Sequence, residues 1–250
     1  MAHKEKNMSD NKATLTVGGD TQDYAIMDGT VGPQVIDVRK LYANTGMFTY
    51  DPGFTSTASC DSGLTYIDGD EGVLLHRGYP IDQLASKSHY LEVCFLLLYG
   101  NLPNRQQLQE FDTTLKANRI IPDEVIQVLD LVKSSHPMDA LRTGVSALAA
   151  FDPEVKDNSV EATIRKGMRM TAMGPTIVAA HHRLRQGLEP VAPNPDLTHA
   201  GNFLYMLFDK LPDQETTDLL DVDFILHAEH GPNASAFAAR VTASTISDLH

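Results

Sequence analysis

From Ile81 onward the apolar residues of this chain recur at spacings of three and four, and nine successive segments carry that pattern. A chain patterned in this way buries its apolar stripes by packing helix on helix, so a mainly α fold is expected. Residues 90–99 read as a helix closed by Gly100. Residues 104–116 open on a capping Asn104 and carry Leu108, Phe111 and Leu115 on one face. Pro122-Asp123-Glu124 starts another helix, with a proline and two acids in its first turn. Residues 138–151 are rich in small residues, among them Gly144, Ser146 and Ala147, which let helices approach closely, so this segment is expected to be buried. Residues 160–186 form the longest run, with Gly174-Pro175 inside it. A proline there removes a backbone bond, which predicts a kink or a split. Residues 200–208, 216–230 and 234–246 complete the set.

Ahead of this helical stretch the pattern differs. Residues 1–12 are polar and read as a disordered leader. Residues 13–54 form a small β-rich region, with strand-like runs at residues 13–17, 24–27 and 35–38 and a hairpin signal at Gly18-Gly19-Asp20. Met47-Phe48-Thr49-Tyr50 leads into an Asp51-Pro52-Gly53 turn. Residues 64–67 and 73–77 read as a second hairpin around Asp68-Gly69-Asp70-Glu71-Gly72. The plausible boundary lies near residue 55, with residues 55–250 forming the N-terminal part of a large helical domain.

Composition narrows the function. A formal net charge of -13 argues against a nucleic-acid surface, which needs a basic stripe. Two cysteines, Cys60 and Cys94, without C-x-x-C spacing suggest neither a disulfide framework nor a zinc site and fit a reducing compartment. The first twelve residues hold no apolar signal core, and no window is long and apolar enough to span a bilayer.

The segment with chemical content is Leu226-His227-Ala228-Glu229-His230-Gly231-Pro232-Asn233-Ala234-Ser235. Two imidazoles end one helical run, Pro232 breaks it, and Asn233 opens the next. The spacing is one residue short of either zincin pattern, so a metal site is disfavoured. Two readings stay open, structural histidines at a helix end and an anion or carbonyl site. Asp68-Gly69-Asp70-Glu71-Gly72 fails as a calcium loop on ligand count. His136 reads as a helix-start residue.

Several stretches together resemble one family. Tyr66-Ile67-Asp68-Gly69-Asp70-Glu71-Gly72 with Leu75-His76-Arg77-Gly78-Tyr79-Pro80-Ile81 is similar to the N-terminal signature of citrate synthases. Tyr90-Leu91-Glu92-Val93, Leu97-Leu98-Tyr99-Gly100-Asn101-Leu102-Pro103, Ser135-His136-Pro137-Met138, Ala200-Gly201-Asn202-Phe203-Leu204-Tyr205-Met206 and Leu226-His227-Ala228-Glu229-His230 follow in the family's order. The β-rich leader is similar to that of the larger bacterial form.

The resemblance implies a multi-helical citrate synthase-like fold and a cytoplasmic bacterial enzyme, a homodimer or hexamer. It implies condensation of oxaloacetate with acetyl-CoA and hydrolysis of the thioester to citrate and CoA. Acetyl-CoA is then a substrate and no cofactor is needed. His230 matches the family's oxaloacetate-binding histidine, with His227 and Asn233 supporting the pocket. The catalytic trio lies in a GPxHGGAN-like motif, a GxGHxxY-like motif and a later aspartate, and the 250 residues hold neither motif. No catalytic residue is therefore assigned, and the chain is expected to be a truncated, inactive form. The alternatives are a 2-methylcitrate synthase, which uses propionyl-CoA, and a non-catalytic partner subunit. The larger bacterial form is often inhibited by NADH through an Arg-His-Thr-Met run, for which this chain has Ala117-Asn118-Arg119-Ile120, and through an Arg–Lys pair, for which it has Arg169 and Met173. Arg119 and Arg169 are the remaining candidates for that allosteric site.

Overall fold

The computed structural model describes residues 8–250 and divides into two compact units, one running through Tyr66 and one from Ile67 to His250. The division falls beyond the boundary expected near residue 55. The leader expected over residues 1–12 lies partly outside the described residues, and strand pairing is in place from Met8.

In the first unit, β1 (Met8–Val17) and β2 (Asp20–Met27) form an antiparallel hairpin, and β2 also pairs with β3 (Val35–Ile36). Val17 faces Asp20 across a two-residue turn in which Gly18 and Gly19 both hold positive φ, 59° and 96°. That turn needs left-handed backbone at both positions, which glycine adopts without steric cost. A short helix, α1 (Leu41–Thr45), ends at Gly46 and was not foreseen from the sequence. The Met47-Phe48-Thr49-Tyr50 run forms no strand. Phe48 instead stacks on Tyr42 at 4.3 Å.

A second three-stranded sheet has the order β4 (Thr65–Asp68), β5 (Val73–His76), β6 (Tyr79–Pro80), and β4 spans the division point. Its first turn is closed by Asp68, whose Oδ1 accepts from the N–H groups of Asp70 (3.1 Å) and Glu71 (3.0 Å). The acidic run is thus a turn-forming device.

The second unit is then helical: α2 (Ile81–Lys87), α3 (Tyr90–Tyr99), α4 (Arg105–Ala117), α5 (Asp123–Leu131), α6 (Pro137–Leu148), α7 (Val160–Arg185), α8 (His199–Phe208), α9 (Gln214–Leu226) and α10 (Ala234–Ala243). Local chemistry accounts for several starts. Asn104 and Gln107 exchange bonds in a capping box on α4, and His136 Nδ1 accepts from the Met138 N–H at the start of α6. The small-residue helix α6 buries one face only, through Ala140, Gly144 and Leu148, while Met138 stays exposed.

Helix α7 organises the unit. Ile177 and Ala180 join α5 and α6 in one core cluster, and Met168 and Ala172 join α3 and α4 in another. A third cluster, Leu84, Val93, Leu96 and Ile225, packs α2, α3 and α9 together. Contrary to the expected split, α7 runs through Pro175 as a single helix. Burial on several sides offsets the missing backbone bond, since each fully buried Ile or Leu contributes roughly 1.5–3 kcal/mol.

Candidate functional site

The turn at residues 227–233 differs from the sequence expectation in one respect. Helix α9 stops at Leu226, so His227 and His230 do not share a helical turn. Gly231 holds φ 71° and precedes Pro232. A residue before proline is pushed away from helical backbone, and proline has no N–H to continue the ladder.

His227 occupies the C-cap of α9. Its Nδ1 lies 2.8 Å from the Asp223 carbonyl and 3.5 Å from the Asp223 carboxylate. A carbonyl only accepts, so Nδ1 carries a proton there and Nε2 is left for a ligand. His227 and His230 are both exposed. Asn233 caps α10, its Oδ1 accepting from the Ala236 N–H at 2.9 Å, which leaves its amide NH2 for other contacts. The exposed His230 imidazole and the N-terminus of α10 supply N–H donors that suit an anion or a polarised carbonyl, while the free Nε2 of a neutral His227 accepts.

Two further residues gave no usable signal in the sequence. Glu229, between the histidines, turns inward, and its Oε2 is shut off from solvent with no hydrogen-bond partner among the described residues. His76 on β5 is fully buried. Burial lowers its basicity, while the negative charge of Glu229 opposes that shift.

The two candidate allosteric arginines are engaged inside the helical unit. Arg119 is 1% exposed, and its Nη1 donates to the carbonyls of Asn194 (3.1 Å) and Leu197 (3.0 Å). Burial lowers the basicity of its guanidinium, and Asp112 acts in the opposite sense. Arg169 forms a two-pronged pair with Asp152 at 2.7 Å and also reaches Glu154 at 2.8 Å. Hydrogen bonds from Arg165 and Arg169 hold the Glu154 carboxyl down at about 2.

A cavity of about 520 Å³ opens between α3, α4 and α9, lined by Leu91, Leu108, Asp112, Thr217, Asp218 and Asp221 among others, and no residue of the 227–233 turn lines it. Its carboxylates are engaged: Asp112 pairs with Lys116, Asp218 accepts from Gln214, and Asp221 accepts from the Tyr90 N–H at 3.0 Å. Burial raises the Asp221 carboxyl. Among the described residues no cluster of His, Cys, Asp and Glu is arranged to hold a metal ion, and no helix is long and apolar enough to cross a membrane.

Residues 53–250 match the family model described as citrate synthase, C-terminal domain. The citrate synthase of Deinococcus radiodurans is 46% identical over 199 residues, which cover 79% of this chain and 53% of that protein. The crystal structure of citrate synthase from Pyrobaculum aerophilum superposes with a TM-score of 0.75 at 38% identity, over 82% of this chain and 55% of that one. Citrate synthase from Thermoplasma acidophilum, solved as a ternary complex with carboxymethyl coenzyme A and oxaloacetate, gives a TM-score of 0.74 at 28% identity, over 78% of this chain and 51% of that one. The chain belongs to the citrate synthase family. It spans about half the length of these relatives.

Proposed function

We propose that this chain is part of a bacterial, cytoplasmic citrate synthase, an acyltransferase that joins the acetyl group of acetyl-CoA to the carbonyl carbon of oxaloacetate and then hydrolyses the thioester. The observation that carries this reading is the family match across residues 53–250, which contains the whole 227–233 turn. On this reading His230 donates an imidazole N–H to oxaloacetate. His227, its Nδ1 fixed on Asp223, and the amide of Asn233 line the same pocket. Acetyl-CoA enters as a substrate, no further cofactor is required, and the working protein is a homodimer or hexamer.

The reaction also needs a carboxylate to take a proton from the acetyl methyl, donors to hold the enolate, and an acid to polarise the ketone. His230 cannot fill all three positions. The 250 residues contain neither of the histidine motifs that supply the rest in this family. The chain alone is therefore proposed to bind oxaloacetate weakly and to turn nothing over.

The experiment is CoA release, followed with a thiol reporter, from the 250-residue chain and from the longest reading frame that contains it. Turnover by the longer protein and none by the chain supports the reading. CoA release by the chain alone at an ordinary enzymatic rate, about 1–1000 per second, overturns its inactivity. A longer protein that prefers propionyl-CoA is a 2-methylcitrate synthase, and one inert with either thioester is a non-catalytic partner.

A further inference from the structure

Beyond the candidate turn the chain makes an excursion across the surface of the helical unit. Residues 232–249 are exposed except for a half-buried Phe237, and α10 has no fully buried residue. A helix without a buried face draws little stability from packing, so its position depends on how its ends are held. Its start is held by the Asn233 cap. After its end comes Ile246, whose φ of 66° is costly for a β-branched side chain and persists only where the surroundings hold it. Residues 246–249 line a cleft of about 250 Å³ together with Asn158 and Thr163, so this stretch is not packed down. The chain turns inward again at His250. Its side chain is 1% exposed, and its Nε2 lies 3.3 Å from Oδ2 of Asp152, whose side chain is 4% exposed. Asp152 is also held by Arg169 at 2.7 Å, and Arg169 reaches Glu154 at 2.8 Å. A carboxylate buried this far keeps its charge only among cations and N–H donors, and His250 adds one such partner to Arg169. The His250 N–H also donates to Asp248 Oδ1 at 3.0 Å, which tightens the final turn.

We propose that residues 231–250 form a strap closed by His250 on Asp152, and that its closure holds α10 so that Asn233 is positioned in the substrate turn. The functional half of this rests on the reading of Asn233 as part of the oxaloacetate pocket. With the clasp shut, α10 is fixed at both ends, and the side chain that caps it has one direction. With the clasp open, the left-handed turn at Ile246 relaxes and α10 is held only through its first turn and Phe237. Opening breaks no apolar cluster, because α10 and residues 244–249 contribute no side chain to the three core clusters among the described residues. The transition is therefore local. His250 is a positioning residue, acting on the site through α10.

The test is amide hydrogen exchange and NMR on the 250-residue chain. In His250→Ala the α10 amides are expected to exchange tenfold faster or more, while the amides of α5 and α8 and the urea midpoint stay as in the wild type. The side-chain amide signals of Asn233 should move toward the position of a free asparagine. His250→Gln, whose amide donates to the same carboxylate, should restore part of both effects. In an Asp152→Asn background His250→Ala should add little, because the clasp is already weakened. If the Asp152 variant does not fold, the two His250 variants decide alone. Unchanged α10 exchange in His250→Ala overturns the strap, and so does an equal rise in α5 and α8, which is general loosening. A freed α10 with unmoved Asn233 signals overturns the positioning. Oxaloacetate is a separate arm. A working strap without any oxaloacetate-induced shift at Asn233 or His230 in the wild type keeps the strap and removes the ligand reading. An oxaloacetate shift of the same size in His250→Ala keeps the ligand reading and overturns the positioning.

Discussion

The hydroxyl of Thr176, midway along α7, donates a 2.7 Å hydrogen bond to the main-chain carbonyl of Arg119, 57 residues earlier in the chain. Arg119 in turn donates from Nη1 to the carbonyls of Asn194 and Leu197. One residue therefore ties the α4–α5 connection, the central helix and the loop before α8 together. Arg119→Met keeps much of the volume but removes a charged donor from two part-buried carbonyls, and a hydrogen bond to a charged group is worth about 1.5–3 kcal/mol. The expected cost is about 2–4 kcal/mol, read from the midpoint of urea unfolding. Arg119→Lys should recover only part of it, because one ammonium replaces a planar fork.

The same placement bears on regulation. A dinucleotide pyrophosphate is held by cationic or backbone donors that are open to it. Arg119 is buried on loop carbonyls, Arg169 is spent on Asp152 and Glu154, and Met173 stands where the resemblance calls for a lysine. The longer protein is expected to show citrate synthase rates that NADH does not lower when acetyl-CoA is below saturation. Sigmoidal inhibition at micromolar NADH would show a site built from other residues.

Gly144 on α6 packs against α7 so closely that an added Cβ would lie 2.8 Å from Ile177 Cγ2 and 3.3 Å from Leu129 Cδ2. Overpacking of this kind costs roughly 1–3 kcal/mol, against a helix-propensity gain of about 1 kcal/mol. Gly144→Ala should therefore destabilise by about 1 kcal/mol. In an Ile177→Ala background the 2.8 Å clash is gone, only the 3.3 Å approach to Leu129 remains, and the same substitution should stabilise. The sign change across this double-mutant cycle is the measurement.

These contacts mark where reading the sequence stopped short. Period and punctuation located every helix of the second unit, because Asn104, Pro122, Gly100 and the three-and-four spacing act locally. The split predicted at Pro175 does not occur, because the burial that keeps α7 continuous comes from α5 and α6, distant in sequence. Helix α9 ends four residues before the end that its periodicity predicts for a local reason, the pairing of Gly231 with Pro232. His227, His230 and Asn233 were legible as one motif. The inward turn of Glu229 was not, because the spacing of the motif does not fix which side chain faces the interior once the helix has ended.

If His230 holds oxaloacetate, its replacement should act on substrate binding and leave the fold alone, because the side chain is exposed. In the longer protein His230→Ala should raise the oxaloacetate KM by tenfold or more, since a hydrogen bond to a charged ligand is worth roughly 1.5–3 kcal/mol. His227→Ala should do less, because one ring nitrogen is occupied by the Asp223 carbonyl. An unchanged KM in the His230 variant would remove the assignment.

His199 gives the chain a pH dependence that is independent of any substrate. Its ring is 5% exposed and sits against Tyr90 and Phe224, at 5.3 Å and 5.9 Å between ring centroids. Burial first, and then the charge of Arg119, push its pKa down from 6.5 to about 4. The unfolded chain therefore binds a proton at this residue at pH values where the folded chain does not, and stability rises with pH across that window. The contribution is complete above about pH 6.5 and is lost progressively as the pH falls to about 4, amounting to about 3 kcal/mol at 1.36 kcal/mol per unit. Urea unfolding of the wild type between pH 4 and 7 should show this slope, and His199→Phe, which keeps the aromatic packing, should flatten it. An equal slope in both proteins would mean that another group governs acid sensitivity.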